Sequence, residues 1–365
     1  MTGADQTGAD QTGAGPGVTG IAVVGCGTIS DEYMRTLTSA PSDVQVVFCA
    51  DLDLSRAEAL ASKYDVPGHG TVAEALACPD VSLVVNLTIP AAHTEVSASA
   101  IKAGKHVWSE KPLALDPEAG ASLVALAAEA GVRLGCAPDT VLGPGWRNAY
   151  ELAGSGLIGT PLTALALLRG PGPESWHPDP EFLFRVGAGP LFDLGPYYLT
   201  ALSLLFGPVV SVAAVGRRAR LTRVIGSGPR AGTTFNVEVP TYVSAMLSYA
   251  GGATATLVLS FDSPPRREWV VEVTGTEATM ALPDPNQFVG DVRVLRGGED
   301  SWAVMPAGSD DGRRRGLGVL DMVGSLRAGV AHRCSGELAL HVVDTMTAIA
   351  RSAQTGSFEA VTTSF

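Results

Sequence analysis

Positive charge is scarce in this chain of 365 residues: 25 Lys and Arg stand against 37 Asp and Glu, a formal net charge of −12 with His neutral. A partner bound through its phosphates needs a concentrated basic face, so the balance argues against nucleic acid. Long apolar runs are also lacking. No stretch reaches the ~18 residues that a membrane-spanning helix needs, and the first residues carry neither the basic nor the apolar region of a secretion signal, so the expected location is the cytoplasm. Cysteine is sparse. The five residues Cys26, Cys49, Cys78, Cys136 and Cys334 are odd in number, widely spaced and contain no CxxC pair, which fits small hydrophobes of a reducing compartment and not a disulfide frame. The six histidines lack ligand spacing, and no metal is expected. Charged residues make up only 17% and apolar ones 46%. That leaves ample material for a core, and at ~100–200 residues per domain the length reads as about two domains.

Residues 2–6 and 7–11 repeat TGADQ, and no large apolar side chain follows until Val18. Such a tail cannot offset its ordering entropy, so residues 1–17 are expected to be disordered. From residue 18 to 137, short apolar runs (20–24, 44–50, 82–87, 106–108, 132–136) alternate with helix-length amphipathic segments (30–39, 55–63, 71–77, 92–103, 117–130). Continuously apolar strands separated by helices imply a parallel sheet covered on both faces, a doubly wound α/β domain of the Rossmann type. Residues 138–365 read differently. Helices at 145–154 and 194–206 accompany strand-like runs at 161–169, 208–216, 233–249, 253–262, 268–275 and 278–282. Strands in succession without intervening helices predict a large, mainly antiparallel sheet in an α+β domain for substrate and oligomer contacts. Segments 170–174, 225–233 and 306–318 read as loops, and a helix at 337–352 is expected to pack back on the first domain.

The first strand runs into Gly25-Cys26-Gly27-Thr28-Ile29-Ser30 and then a helix. Glycines there permit a tight turn and close approach of backbone to a pyrophosphate, which the helix N-terminus stabilises. Ser30 stands at the third glycine position of GxGxxG. Asp51 closes the second apolar run where an acidic group meets the adenosine ribose, favouring NAD; its other reading is a solvated strand end or a helix cap. Arg56 could stack on adenine or reach a 2′-phosphate, which leaves NADP possible. Loops at the carboxyl ends of parallel strands bind the ligand in such a sheet, and two of them carry Leu87, Thr88, Pro90 and His93, then Glu110, Lys111 and Pro112. A lysine at the mouth of a dinucleotide site can contact the reacting oxygen of a substrate.

The GCGTIS turn, Asp51, the NLTIPAAH stretch, the GKHVWSEKPLA run and the later GAGPLFDLGPYYLTAL helix together resemble the Gfo/Idh/MocA oxidoreductases over residues 19–355. The resemblance implies that Lys111, in the EKP element, contacts the reacting hydroxyl and the nicotinamide ribose. It implies that Asp193 and Tyr197 act on the substrate from one helical face, as their i, i+4 spacing allows. On residue pattern alone Asp193 could be an N-cap and Tyr197 a core aromatic, with Pro196 in the first turn. Departures from the family pattern include Tyr197 where inositol dehydrogenases carry His, Cys136-Ala137-Pro138-Asp139-Thr140 in place of an Asn-x-Arg loop, and Ile89 in place of Thr before Pro90. Asp139, Trp176 and His177 are the remaining candidates for substrate contacts. ESWHPDPEF is either a polyol platform or an ordinary polar loop.

The function expected is NAD(P)-dependent hydride transfer to or from a secondary alcohol of a sugar, cyclitol or sugar derivative, with Tyr197, helped by Lys111, exchanging the hydroxyl proton. The rivals are a glycoside hydrolase that works by transient oxidation on a retained NAD, and a catalytically silent sugar or nicotinamide sensor. An open face on the second sheet predicts a homodimer or homotetramer.

Overall fold

The computed structural model describes residues 17–39, 43–263 and 268–365, so nearly all of the tail expected to be disordered lies outside the described residues. The first sheet is built from β1 (Thr19–Val24), β2 (Val44–Ala50), β3 (Gly68–Gly70), β4 (Leu83–Asn86), β5 (His106–Ser109) and β6 (Leu134–Cys136). All its pairs are parallel and its order is β3-β2-β1-β4-β5-β6. The order reverses direction between β1 and β4, which opens a crevice at their carboxyl ends. Helices α1 (Ser30–Thr38), α2 (Leu54–Lys63), α3 (Val72–Ala77), α4 (Pro90–Lys102) and α5 (Pro117–Ala130) make the crossovers. Their starts follow ordinary capping chemistry: Thr71 and Glu74 form a reciprocal capping box on α3, and Asp116 accepts from Ala119 N–H on α5. Asp53, not Asp51, caps α2.

The chain continues through α6 (Pro144–Gly154), β7 (Pro161–Arg169), α7 (Gly189–Phe206), β8 (Val209–Arg217), β9 (Thr222–Val224), β10 (Thr234–Asn236), β11 (Tyr242–Tyr249) and β12 (Thr254–Ser260). It closes with β13 (Glu268–Gly275), β14 (Ala278–Ala281), β15 (Val292–Arg296), β16 (Ala303–Met305), α8 (Leu317–Ala328), α9 (Gly336–Thr355) and β17 (Glu359–Ala360). The second sheet has the order β16-β15-β14-β13-β7-β12-β11-β8-β17, while β9 and β10 form a separate hairpin. Every pair in it is antiparallel except β7 with β12, which run parallel. The sheet is therefore mixed, mainly antiparallel.

Three expectations are corrected. The run 233–249 divides into β10 and β11, and the segment 306–318 ends inside the first turn of α8, an element the sequence did not show. The helix expected at 194–206 begins at Gly189, so Asp193 is not its N-cap and Pro196 lies inside it, away from the first turn. A proline there has no N–H for the carbonyl of Phe192. The helix still forms because its apolar surface is buried nearly all round, from Leu191 to Ser203.

One face of the second sheet buries Ala164, Ala166, Leu168, Ala245, Leu247, Leu257 and Leu259. Against the sheet lie α7 and α9, the latter touching β8 and α7 as well as α5 and β6 of the first sheet. Among the described residues, no helix is long and apolar enough to cross a membrane.

Candidate active site

At the crevice, the β1–α1 turn is shaped by a contact that only glycine allows. Gly25 has φ +95°, and a Cβ there would sit 2.6 Å from the carbonyl carbon of Leu87. Gly27 is the opposite case: a Cβ would meet nothing within 4 Å, and Gly27 and Thr28 are exposed at the head of α1. Ile29 stands at the N-cap with no side-chain cap, leaving N–H groups and the positive end of the helix to an anion. The turn and the open space before it fit the pyrophosphate of a dinucleotide. Asp51 stands beside it: its Oδ2 accepts from the N–H of Cys26 at 2.7 Å and its Oδ1 from the N–H of Asp53 at 2.9 Å. The carboxylate thus secures the glycine turn from β2, a tie the sequence did not show. Arg56 is exposed and pairs with Asp53 at 3.5 Å.

The loop after β4 is knitted by buried groups. Asn86 receives the Thr88 hydroxyl at 2.6 Å and donates to the His93 carbonyl and the Ser97 hydroxyl, both at 3.0 Å. Pro90 opens α4. Two of the expected cofactor contacts have their side chains turned into the interior. The Leu87 side chain belongs to the core, 5% exposed, and only its backbone borders the turn. His93 is 1% exposed, with Nδ1 2.7 Å from the Pro112 carbonyl and Nε2 2.9 Å from that of Thr88. It ties the loop after β4 to the loop after β5 and presents no free nitrogen to the crevice.

After β5, Glu110 accepts from the Tyr33 hydroxyl at 2.8 Å and from the N–H of Lys111 at 3.1 Å, and Tyr33 in turn receives Trp108 Nε1 at 3.3 Å. This chain fixes the backbone from which Lys111 extends, where the Lys111–Pro112 peptide is cis. The Lys111 ammonium crosses to α7. It donates to the Asp193 carbonyl at 2.7 Å and to Asp193 Oδ1 at 2.9 Å, and lies 5.3 Å from the centre of the Tyr197 ring. Burial works against its charge, but Asp193, Tyr197 and Glu110 outweigh burial and hold the ammonium above the usual lysine range. Lys111 is therefore held as a cation against α7.

The other side of Tyr197 meets a residue no motif indicated. Arg315 donates from Nη2 to the Tyr197 hydroxyl oxygen at 3.0 Å and to Asn286 Oδ1 at 3.4 Å, with its guanidinium 5.4 Å from the ring centre of Tyr197. The only signal for it in the sequence is the run Arg313-Arg314-Arg315, within a segment read as loop. Asp139 explains its placement. This carboxyl, wholly buried, accepts from the N–H groups of Gly316 at 2.7 Å and Gly318 at 3.3 Å and from Arg315 Nη1 at 3.4 Å. Asp139 is thus corrected from a substrate contact to an anchor of residues 315–318; burial raises its pKa against the pull of Arg315.

A cavity of about 410 Å³ opens beside Asp193 and Tyr197, lined also by Trp176, Ser260, Phe261 and Asn286. Trp176 is 66% exposed and forms an outer wall. His177 does not line it: the imidazole sits edge-on between Trp176 and Phe182, and Nδ1 accepts from the N–H of Asp179 at 3.0 Å. Beneath the wall, buried Arg223 donates to the carbonyls of Pro171 and Phe261 at 2.9 and 3.0 Å and pairs with Glu174 and Asp262, stapling two cavity loops together.

An open glycine turn at a strand-order reversal, joined to a second sheet that delivers an Asp/Tyr helix to the same lysine, is a specific combination. Residues 19–137 match the model of the oxidoreductase family with an NAD-binding Rossmann fold, and residues 146–281 match the GFO/IDH/MocA C-terminal domain. The chain belongs to the Gfo/Idh/MocA family. It is 28% identical over 351 residues to an uncharacterised oxidoreductase of Rhizobium meliloti, covering 93% of this chain and 98% of the relative. It is 27% identical over 303 residues to the trans-1,2-dihydrobenzene-1,2-diol dehydrogenase of Bos taurus, covering 81% and 84%. In fold it is similar to levoglucosan dehydrogenase in complex with NADH and L-sorbose, with a TM-score of 0.81 and 19% identity over 94% of this chain and 99% of that one. As a Gfo/Idh/MocA protein it is an NAD-binding oxidoreductase.

Proposed function

We propose that this protein is an NAD-dependent dehydrogenase acting on a secondary alcohol of a sugar, cyclitol or related small diol. The observation that carries the reading is the meeting of Lys111, from the carboxyl edge of the parallel sheet, with Asp193 and Tyr197 on α7. NAD, when bound, accepts the carbinol hydride at nicotinamide C4. Gly25, Gly27, Thr28 and Ile29 would hold its pyrophosphate, and Asp51, with carboxylate lone pairs beyond those given to Cys26 and Asp53, would take the adenosine ribose hydroxyls. The Lys111 ammonium orients the substrate hydroxyl, and Asp193 keeps that ammonium in place. As the hydride leaves carbon, the hydroxyl proton passes to the Tyr197 oxygen and on to water, leaving a ketone.

The cavity walls favour one narrower substrate class within this reading. Leu168, Pro171, Trp176, Leu194 and Phe261 face few polar groups, which suits a ring with an apolar face and one or two adjacent hydroxyls better than a fully hydroxylated sugar. The name of the bovine relative points to the same chemistry. Two copies associate through the outer face of the second sheet.

The test is to mix protein, NAD and a panel of inositols, aldoses, anhydrosugars, cyclic trans-diols and aryl glycosides, and to follow NADH absorbance and product. Steady NADH formation with a free alcohol supports the dehydrogenase. Glycoside cleavage without net NADH would replace it with the oxidative hydrolase, and binding without turnover with a sensor.

A further inference from the structure

Arg315 is 13% exposed and gripped on all sides. Asp139 and Asn286 take its Nη atoms, and the rings of Phe288 and Tyr197 flank it at 5.5 and 5.4 Å. Its segment is pinned to the cofactor-binding part of the chain: the N–H of Arg314 donates to the Thr36 hydroxyl on α1 at 3.1 Å, and Asp139 holds Gly316 and Gly318. A guanidinium has donors only. The 3.0 Å contact therefore makes the Tyr197 oxygen the acceptor, so a hydrogen on that oxygen must point away from Arg315. The two cations beside the ring are not equivalent. Lys111 is matched by the Asp193 carboxylate at 2.9 Å, whereas the carboxyl facing Arg315 stands farther off, at 3.4 Å, and burial pushes it toward its neutral form.

We propose that Arg315 is the positioning residue for proton transfer, holding the Tyr197 oxygen in one orientation and supplying the neighbouring positive charge when that oxygen is anionic. The inference rests on the reading of Tyr197 as proton acceptor. In oxidation the carbinol C–H bond breaks with its electron pair going to NAD, the O–H bond breaks with its proton going to Tyr197, and the oxygen turns from anionic to neutral. In reduction the same proton returns. Arg315 neither gives nor takes a proton; it offsets charge that an opposite charge at this distance favours.

The experiment compares Arg315→Met, which removes charge and donors, with Arg315→Lys, which keeps the charge, and with Tyr197→Phe. In Arg315→Met, kcat at neutral pH should fall about 10–100-fold and recover as pH rises, with the rising limb displaced upward by about one pH unit or more. Arg315→Lys should restore part of both. Two readouts are independent of turnover: NAD affinity by fluorescence titration should stay within about twofold of the parent, since the pyrophosphate turn is untouched, and near-ultraviolet tyrosinate titration of the NAD-free protein, with Tyr197→Phe subtracted, should move in the same direction. If Arg315→Met does not fold, Arg315→Gln against Arg315→Lys carries the comparison. A uniform loss of rate at every pH with an unmoved tyrosinate titration, while Tyr197→Phe is inactive, overturns the inference alone. Near-normal turnover of Tyr197→Phe overturns the reading of Tyr197 and the inference with it.

Discussion

Lys111 is clamped to α7 by Asp193, so its proposed role is one of position and charge. Lys111→Ala removes the cation but leaves Gly25, Gly27 and Asp51 in place. The expected outcome is a loss of kcat of about 10²–10⁴-fold with NAD binding retained in a fluorescence titration. Loss of NAD binding in step with kcat would instead assign Lys111 to the cofactor. Asp51 is a different case, because its carboxylate secures the Cys26 N–H in addition to its proposed part in holding the ribose. Asp51→Ala should weaken NAD binding, relax discrimination against NADP, and lower stability by about 1–3 kcal/mol, the cost of stranding a donor that met a charged acceptor. Asp51→Asn keeps an acceptor and should recover the stability without recovering the discrimination. Thermal melts and paired NAD/NADP titrations separate the two effects.

At the scale of elements, α8 depends on a close approach. A Cβ at Gly318 would lie 1.9 Å from Trp108 of β5, whose indole is fully buried. Gly318→Ala should therefore destabilise by about 1–3 kcal/mol through overpacking, and by moving residues 315–318 it should slow turnover more than it weakens NAD binding. The joint between α9 and β8 is set by His341. Its Nε2 accepts from the Val209 N–H at 2.9 Å, and Nδ1 meets the Thr363 carbonyl at 3.1 Å, a pattern that one neutral tautomer satisfies. Burial lowers the His341 pKa below the ordinary 6.5, and burial lowers those of His106 and His332 as well. Such groups bind protons more readily in the unfolded chain. Their stabilisation is present above the ordinary histidine value and is lost as pH falls through the folded values. The melting temperature should drop from about pH 7 to about pH 5, and less steeply in His341→Gln. A flat profile would show that these imidazoles are not held neutral.

For the whole molecule, the consequential surface is the outer face of the second sheet. The row Ala213, Met246, Thr256, Leu165 and the neighbouring row Val215, Ser244, Val258, Leu167 place six apolar side chains and two hydroxyls across four strands. Met246 is 58% exposed and Val215 60%. An apolar patch spanning adjacent strands marks an association surface, and a self-complementary one closes as a twofold dimer. Light scattering should give at least twice the 365-residue mass for the parent and a smaller species for Met246→Lys combined with Leu165→Glu. A monomeric parent would rule this interface out.

The alternation of apolar runs and amphipathic segments determined the parallel sheet, its glycine turn and the presence of a second, strand-rich region, because each is written in neighbouring residues through side-chain periodicity and turn chemistry. Lys111, Asp193 and Tyr197, which the fold brings together, were singled out by the motifs around them. Other features were decided only by the tertiary structure. β3 is three residues, Gly-His-Gly, with no apolar pattern, and exists because β2 offers it a pairing edge. The parallel pairing of β7 with β12, about 90 residues apart, leaves no local mark. Polar groups that the sequence offers to a ligand, such as His93 and Asp139, turned inward because buried backbone carbonyls and N–H groups needed partners. Arg315 came to Tyr197 in the same way: contacts more than a hundred residues distant in the chain carried it there, and no spacing rule reads across such a gap.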